Sequence, residues 1–156
     1  MTQFSPIPLN QIVGQITMDM IGRSKQEGDT NPRNKDLSGP NEIYIIGSRM
    51  LSTELGDLVD AVNKSYLNLA FNYRLDDPKL GFFFGSDHSE YAKKGIPFVW
   101  FFSGFHAEYH SPRDSADKVD YQKLEKVART IYATAWTLAD APNRPTVDKQ
   151  LPQNLR

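Results

Sequence analysis

The chain has 156 residues, the size of one domain, and its 39 % hydrophobic and 12 % aromatic content suffices for a buried core. Wholesale disorder is excluded despite the negative mean hydropathy. With 18 basic against 19 acidic residues, a formal net charge of -1 and no basic cluster interleaved with aromatics, the footprint of nucleic-acid binding is absent.

Other classes fall to residue order. No apolar stretch approaches the roughly 20 residues of a spanning helix. The start, Met1-Thr2-Gln3-Phe4-Ser5-Pro6, lacks the charged head and apolar core of a signal peptide. The chain has no cysteine, so any metal must be held by His, Asp or Glu.

In chain order, residues 11–21 are apolar and rich in β-branched types, and they stop at Gly22, which predicts a central strand. The polar segment 23–41 is long enough for a surface excursion beside a site. Residues 42–47 predict a second strand. From Ser52, a capping residue, Leu55, Leu58, Val59, Val62, Tyr66 and Leu69 recur at helical spacing, which predicts a helix to about residue 69. Residues 71–75 and 82–84 read as short strands around the turn Asp76-Asp77-Pro78.

Asp87, followed three residues later by Glu90, predicts a helix start, Gly95 its end, and residues 96–102 a buried strand. After the loop 103–119, Asp120 caps a helix whose Leu124, Val127, Ala128, Ile131, Ala135 and Leu138 share one face. Tyr132 and Trp136 on that helix read as ordinary packing. Pro142 and Pro145 end it, leaving 143–156 as an irregular tail to a domain spanning 1–142. Strands alternating with helices imply a layered α/β domain with a mostly parallel sheet and sites at the carboxyl ends of its strands, where Asp19 and His110 fall.

The stretch Glu108-Tyr109-His110-Ser111-Pro112-Arg113-Asp114 carries the most chemistry. An imidazole on a proline-bounded turn can ligate zinc, the adjacent phenol can donate to an oxyanion, and Asp114 can fix the turn or support His110. Two bland alternatives stay open. Asp19 could be a hydrogen-bonded strand-end carboxylate, and His110 an ordinary loop histidine. His106 and His110 are four apart, but Gly104 and Pro112 oppose the helix a zincin motif requires, so His106 reads as a loop residue lining the site. Asp87 serves equally as a cap or a pocket residue.

Three strings together carry a family resemblance: Thr17-Met18-Asp19-Met20-Ile21-Gly22-Arg23; Ser86-Asp87-His88 with Gly95-Ile96-Pro97; and Tyr109-His110-Ser111-Pro112-Arg113-Asp114 with Asp117-Lys118-Val119-Asp120. In this order they resemble the co-catalytic zinc aminopeptidases, a family that includes secreted bacterial leucyl aminopeptidases and relatives of glutamate carboxypeptidase. The resemblance covers roughly residues 9–140. It implies a three-layer α/β/α sandwich of the zinc-exopeptidase kind, present here as a partial domain corresponding to the C-terminal half.

By the same resemblance, Asp19 is similar to a ligand of one zinc and His110 to a ligand of the other. Tyr109 is similar to a residue that polarises the substrate carbonyl, and Ser86, Asp87 and His88 to residues lining and supporting the pocket. The implied substrate is a peptide with a free N-terminus, and the implied reaction is attack by a zinc-activated water. Relatives are often secreted or periplasmic, although no signal peptide is present in this chain.

The departures limit these expectations. His88 is followed by Ser-Glu, His106 by Ala-Glu and His110 by Ser-Pro, so the family's His-x-Asp has no counterpart, and no Glu-Glu pair supplies a base. Each zinc would keep one ligand from this chain, fewer than the three usual in catalytic sites. The expectation is an incomplete site, weak or absent zinc, and no peptide hydrolysis without the missing N-terminal half. A non-catalytic binding or assembly domain is the alternative, and a mononuclear site of Asp19, His110 and either His88 or His106 is a weaker one. Absence of half of such a sandwich exposes a sheet edge and part of a core, which predicts a homodimer or a domain-swapped form.

Overall fold

The computed structural model describes residues 5–155. Strands β1 (Gln15–Met18), β2 (Glu42–Ile46), β3 (Ala70–Asn72) and β4 (Phe98–Phe102) form one sheet in the order β1-β4-β2-β3. The pairs β1–β4 and β2–β3 are parallel; β2 and β4 are antiparallel, with Ile45 opposite Phe101. Helices α1 (Thr53–Ser65), α2 (His88–Ala92) and α3 (Tyr121–Ala139) complete the α/β architecture.

The centre of the sheet is β4, every residue of which is buried. Its alternation assigns the two faces. Val99 and Phe101 meet Ile43 and Ile45 of β2, Leu55 and Val59 of α1, and Val127, Ile131 and Leu138 of α3. On the other face, Trp100 and Phe102 join Tyr44, Ile46 and Leu75, while Phe98 packs with Phe83, Ala92, Leu151 and Leu155. The last two residues dock the segment after α3, whose Lys149 N–H also donates to the Leu51 carbonyl (3.2 Å).

The strand predicted at the centre over 11–21 is instead the short edge strand β1. A 3-10 turn occupies Leu9–Gln11, and Met20 adopts φ 59, so only four residues remain extended. Helix α1 has its expected cap, with the Leu55 N–H donating to Ser52 Oγ (3.1 Å), but it ends at Ser65. There the Asn63 amide bonds both backbone groups of Leu69, and Asn68 turns left-handed, so Leu69 reaches the core from a loop. Residues 82–84 form a 3-10 turn after the left-handed Gly81, not a strand; Phe83 points inward and Phe84 outward. Asp87 makes no capping bond with its side chain.

Helix α3 is rotated relative to the predicted face. Its buried stripe is Lys123, Val127, Thr130, Ile131, Thr134 and Leu138, whereas Ala128 and Ala135 are exposed. Thr130 and Thr134 are accommodated by hydroxyl donation to carbonyls four residues back. Tyr132 and Trp136 stand 66 % and 63 % exposed rather than packed.

Lys123 is fully buried. Its Nζ donates to the Arg23 carbonyl (2.9 Å), Ser38 Oγ (2.7 Å) and the Gly39 carbonyl (3.0 Å). Burial lowers its pKa to about 8, opposed by Asp120 and Glu42, so it stays largely charged at neutral pH. A methionine cannot satisfy those acceptors. Lys123→Met is expected to destabilise the fold by about 3 kcal/mol, measured as a fall in the urea midpoint.

Candidate functional site

Because β1 and β4 are parallel, Asp19 and the loop beginning at Ser103 emerge at the same end of the sheet. Asp19 is half-buried; Ser86 Oγ donates to its Oδ2 (3.0 Å), and Trp100 Nε1 donates to its carbonyl (3.3 Å). The Ser103 N–H donates to the Met20 carbonyl (2.8 Å), so the two strand ends are stitched together. Gly104 then takes φ 92, with a Cβ excluded by the Asp36 carbonyl, which would lie 2.0 Å away. That close approach lays the segment 23–41 against the loop after β4.

Arg23 is the hub of this end. Its guanidinium donates to Asp114 Oδ1 (2.6 Å) and Glu108 Oε2 (2.9 Å), one residue on each side of the 109–113 turn. Lys118 Nζ also reaches Glu108 Oε1 (3.2 Å). Hydrogen bonds from Arg23 and Lys118 hold the Glu108 carboxyl at about 2, far below its usual range. His106 is buried between the same two carboxylates, Nδ1 at 3.5 Å from Glu108 and Nε2 at 3.6 Å from Asp114. Burial, then the Arg23 charge, lowers its pKa and favours the neutral ring.

This frame carries Tyr109 and His110. Both are exposed, with rings stacked at 3.8 Å between centroids, and Tyr109 leans on Phe105 at 4.8 Å. His110 has φ 53, a left-handed conformation that costs a non-glycine residue roughly 1 kcal/mol. The ion pairs on both flanks hold it there. The pair can present an imidazole nitrogen and a phenolic donor to a ligand.

The remaining sequence-derived candidates divide. Ser86 touches Asp19, Asp114 and His106 belong to the Arg23 network, and Asp87 is exposed. His88 lies in the aromatic core, stacked on Phe98 (4.9 Å) and inclined to Trp100 (5.0 Å), with neither nitrogen hydrogen-bonded. Among the described residues no three His, Cys, Asp or Glu side chains converge to hold a metal ion, and no hydrogen bond or ion pair joins Asp19 to His110. The donor set therefore does not fit a complete zinc site.

The sequence profile of peptidase family M28 matches residues 2–135. The chain belongs to this family. Comparison with curated proteins gives no match. Among solved structures, the fold is similar to the Legionella pneumophila LapA aminopeptidase, at 16 % identity and TM-score 0.59, over 82 % of this chain and 31 % of that one. It is also similar to an aminopeptidase from Aneurinibacillus sp. strain AM-1, at 21 % identity and TM-score 0.59, over 97 % of this chain and 32 % of that one. The chain spans about a third of the length of these two structures.

Arg23 lies within the first motif, but no local pattern assigns it a role, because its pairing partners lie 85 and 91 residues away. Replacing it with glutamine is expected to speed amide hydrogen exchange selectively across residues 105–114 while leaving α1 unchanged. Uniform acceleration would show that Arg23 supports the whole fold rather than this loop.

His88 gives a pH test. Burial lowers its pKa to about 4; the Phe83 carbonyl, lacking hydrogen-bond geometry, and the Asp87 and Asp19 charges oppose this less strongly. The unfolded chain takes up this proton near 6.5 and the folded chain only near 4, so stability falls as pH drops across that window, by about 3 kcal/mol. Burial raises Asp76 to about 6, and its contribution runs the other way over much of the same range. The check is therefore differential. Between pH 7 and 4, wild type is expected to lose about 3 kcal/mol more stability than His88→Phe in paired urea melts.

Proposed function

We propose that this chain is the ligand-presenting portion of an aminopeptidase-like zinc exopeptidase, acting on peptides with a free N-terminus. The observation carrying this reading is that Asp19 and the Tyr109-His110 pair, from separate motifs of an M28 chain, emerge at one end of the sheet. Asp19 and His110 would each give one metal ion a ligand, and Tyr109 would donate to the peptide carbonyl. Ser86 orients the Asp19 carboxylate, and the Arg23 bridge fixes the turn bearing Tyr109 and His110. Among the described residues no three His, Cys, Asp or Glu side chains converge to hold a metal ion, and in this reading further ligands and a base come from other polypeptide. By itself the chain is inactive in this reading.

A second reading, a non-catalytic assembly domain, is favoured by one surface. Tyr66, Tyr132 and Trp136 are 46 %, 66 % and 63 % exposed, and they line one open groove along α3. A homodimer through this face is the corresponding form.

One preparation separates the readings. The exopeptidase reading expects zinc binding that Asp19→Asn and His110→Ala each weaken at least tenfold by chelator competition, with no turnover of a leucyl anilide. Two tightly held zinc ions with turnover would overturn the inactivity; zinc binding indifferent to both substitutions would overturn the ligand assignment. Light scattering on the same sample is expected to give an assembly through the open sheet edge, insensitive to Trp136→Glu, under the first reading and a dimer lost in Trp136→Glu under the second.

A further inference from the structure

Beside the Arg23 network lies a polar cleft of about 350 Å³ lined by Asn31, Arg33, Ala107, Glu108 and Arg113. The other arginines of the described residues all place their guanidinium on a protein acceptor. Arg23 bonds Glu108 and Asp114; Arg49 bonds Asp57 and Asp60; Arg74 bonds Asp36 and Tyr44. Arg129 bonds Glu125 and Tyr66, and Arg144 the carbonyls of Asn10 and Ile12. Arg33 and Arg113 alone among the described arginines have no such acceptor, and both line this one cleft.

The cleft also has a fixed frame. Asn31 Oδ1 accepts from the Arg33 N–H (3.0 Å), closing the turn that carries Arg33. Asn34 Oδ1 accepts from the Ala107 N–H (2.7 Å), joining that turn to the opposite wall. On the Arg113 side, Ser111 Oγ accepts from the Arg113 N–H (3.2 Å), and Lys118 Nζ donates to the Arg113 carbonyl (2.8 Å). Glu108, the one carboxylate lining the cleft, is already engaged by Arg23 and Lys118 and does not neutralise the two free guanidiniums. Two arginines stand against that one carboxylate in the lining, and guanidiniums match planar oxyanions by paired N–H donation.

We propose that Arg33 and Arg113 form a subsite for a carboxylate side chain of a bound peptide, so that the chain prefers acidic peptides. The proposal rests on the exopeptidase reading for its choice of a peptide ligand. The cleft is lined on both sides of the proposed point of carbonyl contact in the chain, by Ala107 and Glu108 before Tyr109-His110 and by Arg113 after it.

Calorimetric titration of the full chain tests this with an acetylated, amidated tetrapeptide containing two central glutamates and with its glutamine counterpart. Neither has a free N-terminus and no turnover is read, so the outcome is separate from that of the zinc and anilide assays. The glutamate peptide is expected to bind about tenfold tighter at low salt, the scale of one charge-assisted contact. Arg33→Gln and Arg113→Gln are each expected to remove most of that preference with unchanged melting temperature, since neither guanidinium has an intramolecular partner to lose. Equal affinity for the two peptides, or a preference that survives in the double variant, would overturn the subsite. Inorganic phosphate binding tighter than the glutamate peptide, and lost in the same variants, would overturn the carboxylate assignment in favour of a phosphate ligand.

Discussion

The ammonium of Lys123, sealed beneath residues 23–39, is the constraint on which the candidate site depends. A buried cation is tolerated only where acceptors surround it, and here those acceptors are backbone carbonyls and a hydroxyl from the segment that follows the Asp19 motif. The first turn of α3 adds to the same anchorage. The Asp120 N–H donates to the Gly22 carbonyl (2.8 Å), and Ser24 Oγ donates to Asp120 Oδ2 (2.6 Å). Backbone held on one side by α3 can then direct the Arg23 side chain toward the opposite loop. The order of cause runs from a lysine on a helix, to a backbone carbonyl, to a guanidinium, to the turn carrying Tyr109 and His110.

That sequence of contacts explains why local motifs separated by about ninety residues form one end of one molecule. Neither Tyr109 nor His110 is packed deeply, and His110 adopts backbone geometry that it would not prefer in isolation. Their placement is imposed by charges on either side of them, in surroundings where Arg23 is only 15 % and Glu108 only 22 % exposed by side chain. Screening by salt is weaker there than at an open surface.

Periodicity made much of the fold legible. The continuous apolar run of β4, the Ser52 and Asp120 caps and the alternation of strands with helices all point to the observed α/β architecture. The motif strings pointed to the family. Periodicity misled where a long-range contact decides the outcome. Residues 11–21 look like a core strand, but pairing with β4 extends only from Gln15 to Met18. On α3, the alanines suggested one face, while Lys123 and two threonines define another, because each finds a specific acceptor that composition cannot reveal. A lysine four residues before Val127, in step with Ile131 and Leu138, was the available signal. His88 shares a motif with the pocket candidates Ser86 and Asp87, yet the pleat of β4 turns Phe98 and Trp100 toward it and draws it into the core.

The placement of His88 has an optical consequence. The chain's two tryptophans occupy opposite environments, Trp100 in the aromatic interior and Trp136 on the outer surface of α3. An external quencher will reach the latter far more readily, leaving emission dominated by an indole that lies against an imidazole and whose N–H points to the Asp19 carbonyl. The molecule therefore contains a native fluorophore whose surroundings include the protonation of its buried histidine and the backbone bearing its first motif carboxylate.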